Sequence, residues 1–172
     1  MYHIRQETAQ DCMAIKEVNN LAFGRNNESQ LIEELRKSRS FIPQLSLVTE
    51  TDTREIIGHI LFSEISIETK NGSIPSLALA PMAVKPSYQK KGVGSALIKE
   101  GLKRCKELGY HSVIVLGHPE YYSKFGFIKA STKGIFPPFD VPDEAFMVYE
   151  LQPNAFKGIQ GTVRYPEPFL NV

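Results

Sequence analysis

The sequence has almost no net charge, few cysteines and no long apolar run. Its 20 Lys and Arg against 19 Asp and Glu leave a formal charge of +1, so no extended nucleic-acid or membrane surface is expected. The opening residues MYHIRQE hold no apolar signal core, and no apolar run approaches the ~20 residues of a membrane span. The only two cysteines, Cys12 and Cys105, both fall in segments with helical spacing. They cannot build a disulfide framework and read as small apolar residues in a reducing compartment. No metal-ligand cluster accompanies them. A Walker A loop, internal repeats, low-complexity segments and a second domain are also missing. The expectation is a cytoplasmic protein with no metal, no nucleic-acid partner and no membrane partner.

What is present suits one packed domain: 172 residues, 42% hydrophobic and 23% charged, which are ordinary globular values and enough for a core. The chain is organised around Leu77–Leu108, LALAPMAVKPSYQKKGVGSALIKEGLKRCKEL. An apolar run ends at Val84, a turn and a Gly-rich step follow, and then Val93, Leu97, Ile98, Leu102, Cys105 and Leu108 recur at helical spacing. A strand, a Gly-rich turn and a helix start together place backbone N–H groups and a helix dipole at an anion. Lys90 and Lys91 add charge there, and Gly92 and Gly94 permit close approach of a ligand. Pro81 interrupts the strand; lacking an N–H, it belongs at a bulge. A bulge there would splay this strand from its neighbour and leave backbone free to bind a ligand. GVGSAL is one residue from the dinucleotide fingerprint GxGxxG, ending in Leu97. The acid required about 20 positions on is replaced by Val115, Leu116 and Gly117.

The remaining elements follow in order. Tyr2–Gln6 reads as a strand, and Ala9–Phe23 as a helix capped by the Thr8 hydroxyl. A second helix is capped by Asn27, with Leu31, Ile32 and Leu35 inward. Leu45–Glu50 and Ile56–Glu68 read as strands. Lys70-Asn71-Gly72-Ser73 is a hairpin signal that makes the next strand antiparallel. Ser112–Leu116, SVIVL, reads as a buried parallel strand reached by a βαβ crossover, ending at His118 where open sheets bind ligands. A short helix Glu120–Lys124, a sixth strand after Phe127 and a last strand Ala145–Leu151 complete the sheet. Between them, the Pro-rich stretch 134–143 either lines a substrate site or hides its own Phe136 and Phe139. His59 reads as a packed histidine.

Gln89-Lys90-Lys91-Gly92-Val93-Gly94 resembles the [QR]-x-x-G-x-[GA] pyrophosphate loop of the GNAT acyltransferase superfamily. Met82-Ala83-Val84 stands where that family's central strand meets acetyl-CoA, and Tyr122-Ser123-Lys124-Phe125-Gly126-Phe127 resembles its Y-x-x-x-G-F element. The order of elements matches from about Tyr2 to Leu151. The nearest likeness is to small bacterial N-acetyltransferases with an APMAV-type strand and a PEYYSKFGF-type element.

The resemblance implies a mixed α/β fold of three layers, with six to seven mostly antiparallel strands flanked by helices and a bulge near Pro81. It implies an acetyl-CoA-binding domain over 1–151, with 152–172 as a tail that packs on it or serves a homodimer contact. It implies acetyl transfer to a primary amine. The amides of Met82 and Val84 would meet the pantetheine arm and thioester, with Ala83 between them. Gln89, Lys90, Lys91, Gly92, Val93, Gly94 and Ser95 would hold the pyrophosphate. Tyr122 would act as general acid, because a phenol of pKa ~10 stays protonated at neutral pH. Relatives often use an acid near the bulge as base, but Leu77–Val84 holds none. Glu28, Glu64, His118 and Glu150 are the candidates, beside a water chain. A non-catalytic acyl-CoA-binding module would share loop 89–95 and need neither acid nor base.

Overall fold

The structure is a computed structural model describing every residue, Met1–Val172. The chain runs β1 (Tyr2–Gln6), α1 (Cys12–Phe23), α2 (Asn27–Arg36), β2 (Phe41–Thr51), β3 (Ile56–Thr69) and β4 (Gly72–Val84). It continues with α3 (Val93–Glu107), β5 (Ser112–Leu116), α4 (Pro119–Tyr122), β6 (Ile128–Lys129), β7 (Ile135–Phe136), β8 (Phe146–Glu150) and β9 (Gly161–Arg164). The strands form one sheet in the order β1-β2-β3-β4-β5-β8-β6, with β9 pairing both β3 and β7. Only β4–β5 and β7–β9 are parallel.

The nine strands exceed the six to seven expected. β6 and β7 have two residues each and β9 four, too few for an alternating pattern to register. Strand β7 also puts a short regular element inside the Pro-rich stretch, and β9 ties the tail into the sheet. Strand β2 starts at Phe41, not Leu45, because its first part passes Pro43 and slips register against β3 between Phe41 and Ser46. The residue before α2 is Asn26 rather than Asn27. Thr8 caps this helical segment as expected: it forms a capping box with Asp11, whose carboxylate accepts the Thr8 amide at 2.7 Å and the Thr8 hydroxyl at 3.1 Å. The Arg5 guanidinium at 2.7 Å holds that carboxylate down to about pKa 2.

Two apolar layers sandwich the sheet. The stripe of α3 (Val93, Leu97, Ile98, Leu102 and Cys105) packs on Leu47, Ile60, Phe62, Leu79 and Val113. On the opposite face, Ile15 and Val18 of α1 and Leu31, Ile32 and Leu35 of α2 cover Val48, Leu61 and Ala83. Each fully buried Leu or Ile contributes ~1.5–3 kcal/mol relative to exposure. No helix is long and apolar enough to cross a membrane.

The central pair positions the site. Ile60 faces Met82 and Phe62 faces Leu79, so Ala80 and Pro81 together stand opposite Leu61. This is the expected bulge. β4 pairs β5 only at Leu77↔Val113 and Ala78↔Ile114. Beyond Ala78 the two strands part, while β5 stays paired along its length to β8.

One polar chain crosses the second apolar layer. His59, directly opposite Ala83, is fully buried between Asn19 Nδ2 (3.3 Å) and Ser46 Oγ (3.1 Å). The Ser46 hydroxyl donates to Glu7, whose carboxylate also meets Arg36 at 3.0 Å. Because Ser46 gives its proton to Glu7, it accepts from His59 Nε2–H, and Nδ1 accepts from Asn19. His59 is thus a packed, neutral histidine. Burial, with Arg36 adding to it, pushes its pKa from 6.5 down to about 3. Between those values the unfolded chain takes up a proton that the folded chain refuses. Stability is therefore complete above pH 6.5 and falls as pH drops toward 3, by at most about 1.4 kcal/mol per unit. Urea unfolding at pH 7, 6 and 5 should show this loss in the wild type. His59→Gln should be less stable at pH 7 but flatter across the range; an unchanged slope would remove His59 as its source.

Candidate active site

Where β4 leaves β5, Met82, Ala83 and Val84 line a cavity of about 370 Å³. Its second wall is Gln89, Lys90 and the first turn of α3, from Gly92 through Ser95. Nine of the ten residues expected at a cofactor thus meet in one place. The tenth, Lys91, lies outside the lining, with its ammonium 5.7 Å from the Tyr88 ring centre.

The loop is built from both ends. The Gln89 amide donates to the Val84 carbonyl at 3.1 Å, tying it to the strand. Tyr88 donates to Glu55 at 3.2 Å, and Lys85 meets the same carboxylate at 3.0 Å, tying it to the start of β3. Gly92 precedes α3 with φ +84, a conformation that strains any residue with a Cβ. The first N–H groups of α3 then face the cavity without intrahelical partners, at the positive end of the dipole. No cluster of His, Cys, Asp or Glu side chains is placed to hold a metal ion.

The short helix α4 brings two tyrosines. The Tyr122 ring is buried against Phe127 and Gly117, and its hydroxyl has no protein partner. Burial, then Tyr121, raises its pKa to about 12, so the hydroxyl keeps its proton. Tyr121, not Tyr122, lines the cavity. Its hydroxyl is 3.0 Å from where a Cβ on Gly94 would stand. Adjacent helical residues point about 100° apart, and only the docking of α4 decides which one meets the cleft. Ala22 and Phe23, at the end of α1, close the mouth. Neither they nor Tyr88 carries a local sequence signal.

The candidate bases do not gather at this cavity. Glu64 is exposed, accepts from the Tyr110 hydroxyl at 2.9 Å, and lies opposite Leu77, where β4 and β5 are still paired. Glu28 is buried in an ion pair with Arg25. His118 is exposed, and its carbonyl accepts the amides of Tyr121 and Tyr122 at 3.1 Å. Glu150 pairs with Lys133 at 3.1 Å. Phe139 stacks on Tyr165 at 5.7 Å, away from the cleft.

Residues 3–130 match the family model of the acetyltransferase (GNAT) domain. The uncharacterized N-acetyltransferase YjhQ of Escherichia coli K12 is 37% identical over 144 residues, covering 83% of this chain and 78% of that one. The uncharacterized N-acetyltransferase YhbS of the same strain is 32% identical over 166 residues, covering 96% and 97%. Among solved structures, E. coli YhbS in complex with CoA superimposes with a TM-score of 0.91 at 30% identity, covering 98% of this chain and 92% of that one. A GNAT acetyltransferase from Brucella melitensis in complex with acetyl-CoA gives 0.79 at 29%, covering 98% of both.

A side chain at Gly94 would enter the cleft beside Tyr121 and Met82. Gly94→Val should therefore weaken CoA binding by tenfold or more in calorimetry, while the melting temperature moves by only a few degrees. Binding retained within a few fold would show that this turn does not face the ligand.

Proposed function

Because this chain belongs to the GNAT acetyltransferase family, we propose that it transfers the acetyl group of acetyl-CoA to a primary amine, with Tyr122 protonating the departing thiolate. The chain is an acetyltransferase with acetyl-CoA as donor; the amine and the acid are the proposed parts. The observation that carries the reading is the opened edge of β4 at Met82–Val84, facing the N-terminus of α3 across one cavity.

The backbone there suits the donor. The freed main chain of β4 supplies hydrogen-bonding groups to the pantetheine arm and to the charge that develops on the thioester oxygen. The α3 N-terminus, Gln89 and Lys90 suit the pyrophosphate. The amine nitrogen bonds to the carbonyl carbon, the carbon–sulfur bond breaks, and the sulfur takes a proton. Tyr122, protonated and without a protein partner, fits that last need. The amine must also lose a proton. The cavity lining contains no carboxylate or histidine, which favours water over direct removal by Glu28, Glu64 or His118. Two unpaired cysteines and a donor made inside cells support the cytoplasm as its compartment.

A second reading of the acid rests on Tyr121, whose hydroxyl borders the cavity. Thiol release from acetyl-CoA across a panel of amines would identify an acceptor and separate the two. Tyr122→Phe should lower kcat by about 10²-fold and leave CoA affinity unchanged, with Tyr121→Phe far milder. The reverse pattern would move the acid to Tyr121. Acetyl-CoA at a hundredfold over Kd should stabilise the fold by about 2.7 kcal/mol, and NAD should not; equal stabilisation by NAD would overturn the donor site.

A further inference from the structure

The cavity between β4 and α3 is charged on one wall only. Lys90 is the one charged side chain in its lining, and it belongs to the loop read above as holding the pyrophosphate. The lining left for an acceptor is Ala22, Phe23 and Tyr121. Phe23 ends α1 with 40% of its surface exposed. Leu116, the last residue of β5 on the other arm of the opening, is 45% exposed. The acids close to these residues in sequence are turned elsewhere. Glu28 is buried and held by the Arg25 guanidinium at 3.1 and 2.5 Å. Glu120, beside Tyr121, is exposed and lies outside the lining.

This distribution selects among amines. A second ammonium, as in a diamine or an aminoglycoside, would leave water at the mouth and find no carboxylate there. A carboxylate, as in an amino acid, would find the Arg25 charge already taken by Glu28 and Lys90 committed to the donor. An apolar body instead removes the Phe23 ring from water and leaves no charge unpaired. The facing wall is rigid as well as aromatic: the Tyr121 ring is braced edge-on by Tyr122 and Phe125, with ring centres 5.2 and 5.3 Å away. Flat and aliphatic groups both pack well on such rings.

We propose that the acceptor is a small monoamine with an apolar body, an alkylamine or arylalkylamine, whose body rests on Phe23 and Tyr121 at the mouth of the cavity. The proposal deepens the acetyl-transfer reading above and rests on it. The nitrogen of the neutral amine bonds to the acetyl carbon as the carbon–sulfur bond breaks. The nitrogen gives one proton to water and the sulfur takes one, leaving an uncharged N-substituted acetamide and free CoA. Phe23 decides which amine is taken and does no chemistry itself.

The test is thiol release from acetyl-CoA with hexylamine, phenethylamine, hexamethylenediamine and ε-aminocaproate. Hexylamine and the last two share a chain length and differ mainly in the group at the far end. In the wild type, kcat/KM for hexylamine and for phenethylamine should exceed that for either doubly charged amine by at least tenfold. Phe23→Asp places a carboxylate at the mouth and should bring hexamethylenediamine within about threefold of hexylamine, whereas Phe23→Leu should keep the wild-type preference. Equal use of hexylamine and a doubly charged amine by the wild type overturns the acceptor class and leaves acetyl transfer standing. So does faster turnover of a lysine peptide or an aminoglycoside, a result that does not depend on any variant folding. A preference unchanged in a folded Phe23→Asp chain overturns the placement at Phe23. Acetyl-CoA binding without thiol release to any amine overturns both the class and the acetyl-transfer reading.

Discussion

The separation of β4 from β5 after Ala78 is the constraint on which the rest of the structure depends. A strand in mid-sheet normally satisfies its backbone on both sides. Here two residues, Ala80 and Pro81, stand opposite Leu61, and the strand turns away from β5 while remaining bonded to β3. The backbone released this way is the one part of the sheet interior that can bond a ligand. Such an opening is tolerable only if both strands are held from elsewhere, as they are: β4 by β3 on one edge, and β5 by β8 on the other.

The helices keep the opening in shape. Helix α3 is anchored by a wholly buried stripe, so its N-terminus cannot drift from the strand it faces. The turn between them is tied at both ends, by Gln89 to the Val84 carbonyl and by Tyr88 and Lys85 to Glu55. On the other face, α1 and α2 cover Ala83 and Leu61, and the Asn19–His59–Ser46–Glu7–Arg36 chain joins both helices to β2 and β3. The chain holds α1 on the sheet through Asn19, and Gly24, at φ +66 with its N–H bonded to the Asn20 carbonyl, ends that helix. That end carries Ala22 and Phe23, at the mouth of the cavity.

The two tyrosines of α4 show how one turn of helix divides its labour. Tyr122 enters the core, where burial holds its proton in place. Tyr121 borders the cleft and packs on Phe125.

Much of this was legible in order along the chain. The Gly-rich step after Val84 and the apolar stripe from Val93 mark the turn and helix α3, because both follow from local periodicity and from glycine's backbone freedom. Pro81 marks the bulge, because a residue without an N–H cannot continue the ladder. The Asn-Gly hairpin and the run SVIVL mark the pairing of β3 with β4 and the parallel β5. Tertiary packing alone decided the rest. Strands of two to four residues exist only because neighbours pair with them, so β6, β7 and β9 left no pattern. Glu64 and Glu28 have the right chemistry for a base, yet their surroundings turn them to Tyr110 and Arg25. Which of Tyr121 and Tyr122 meets the cleft depends on how α4 docks against α3; no local spacing encodes that contact between distant segments.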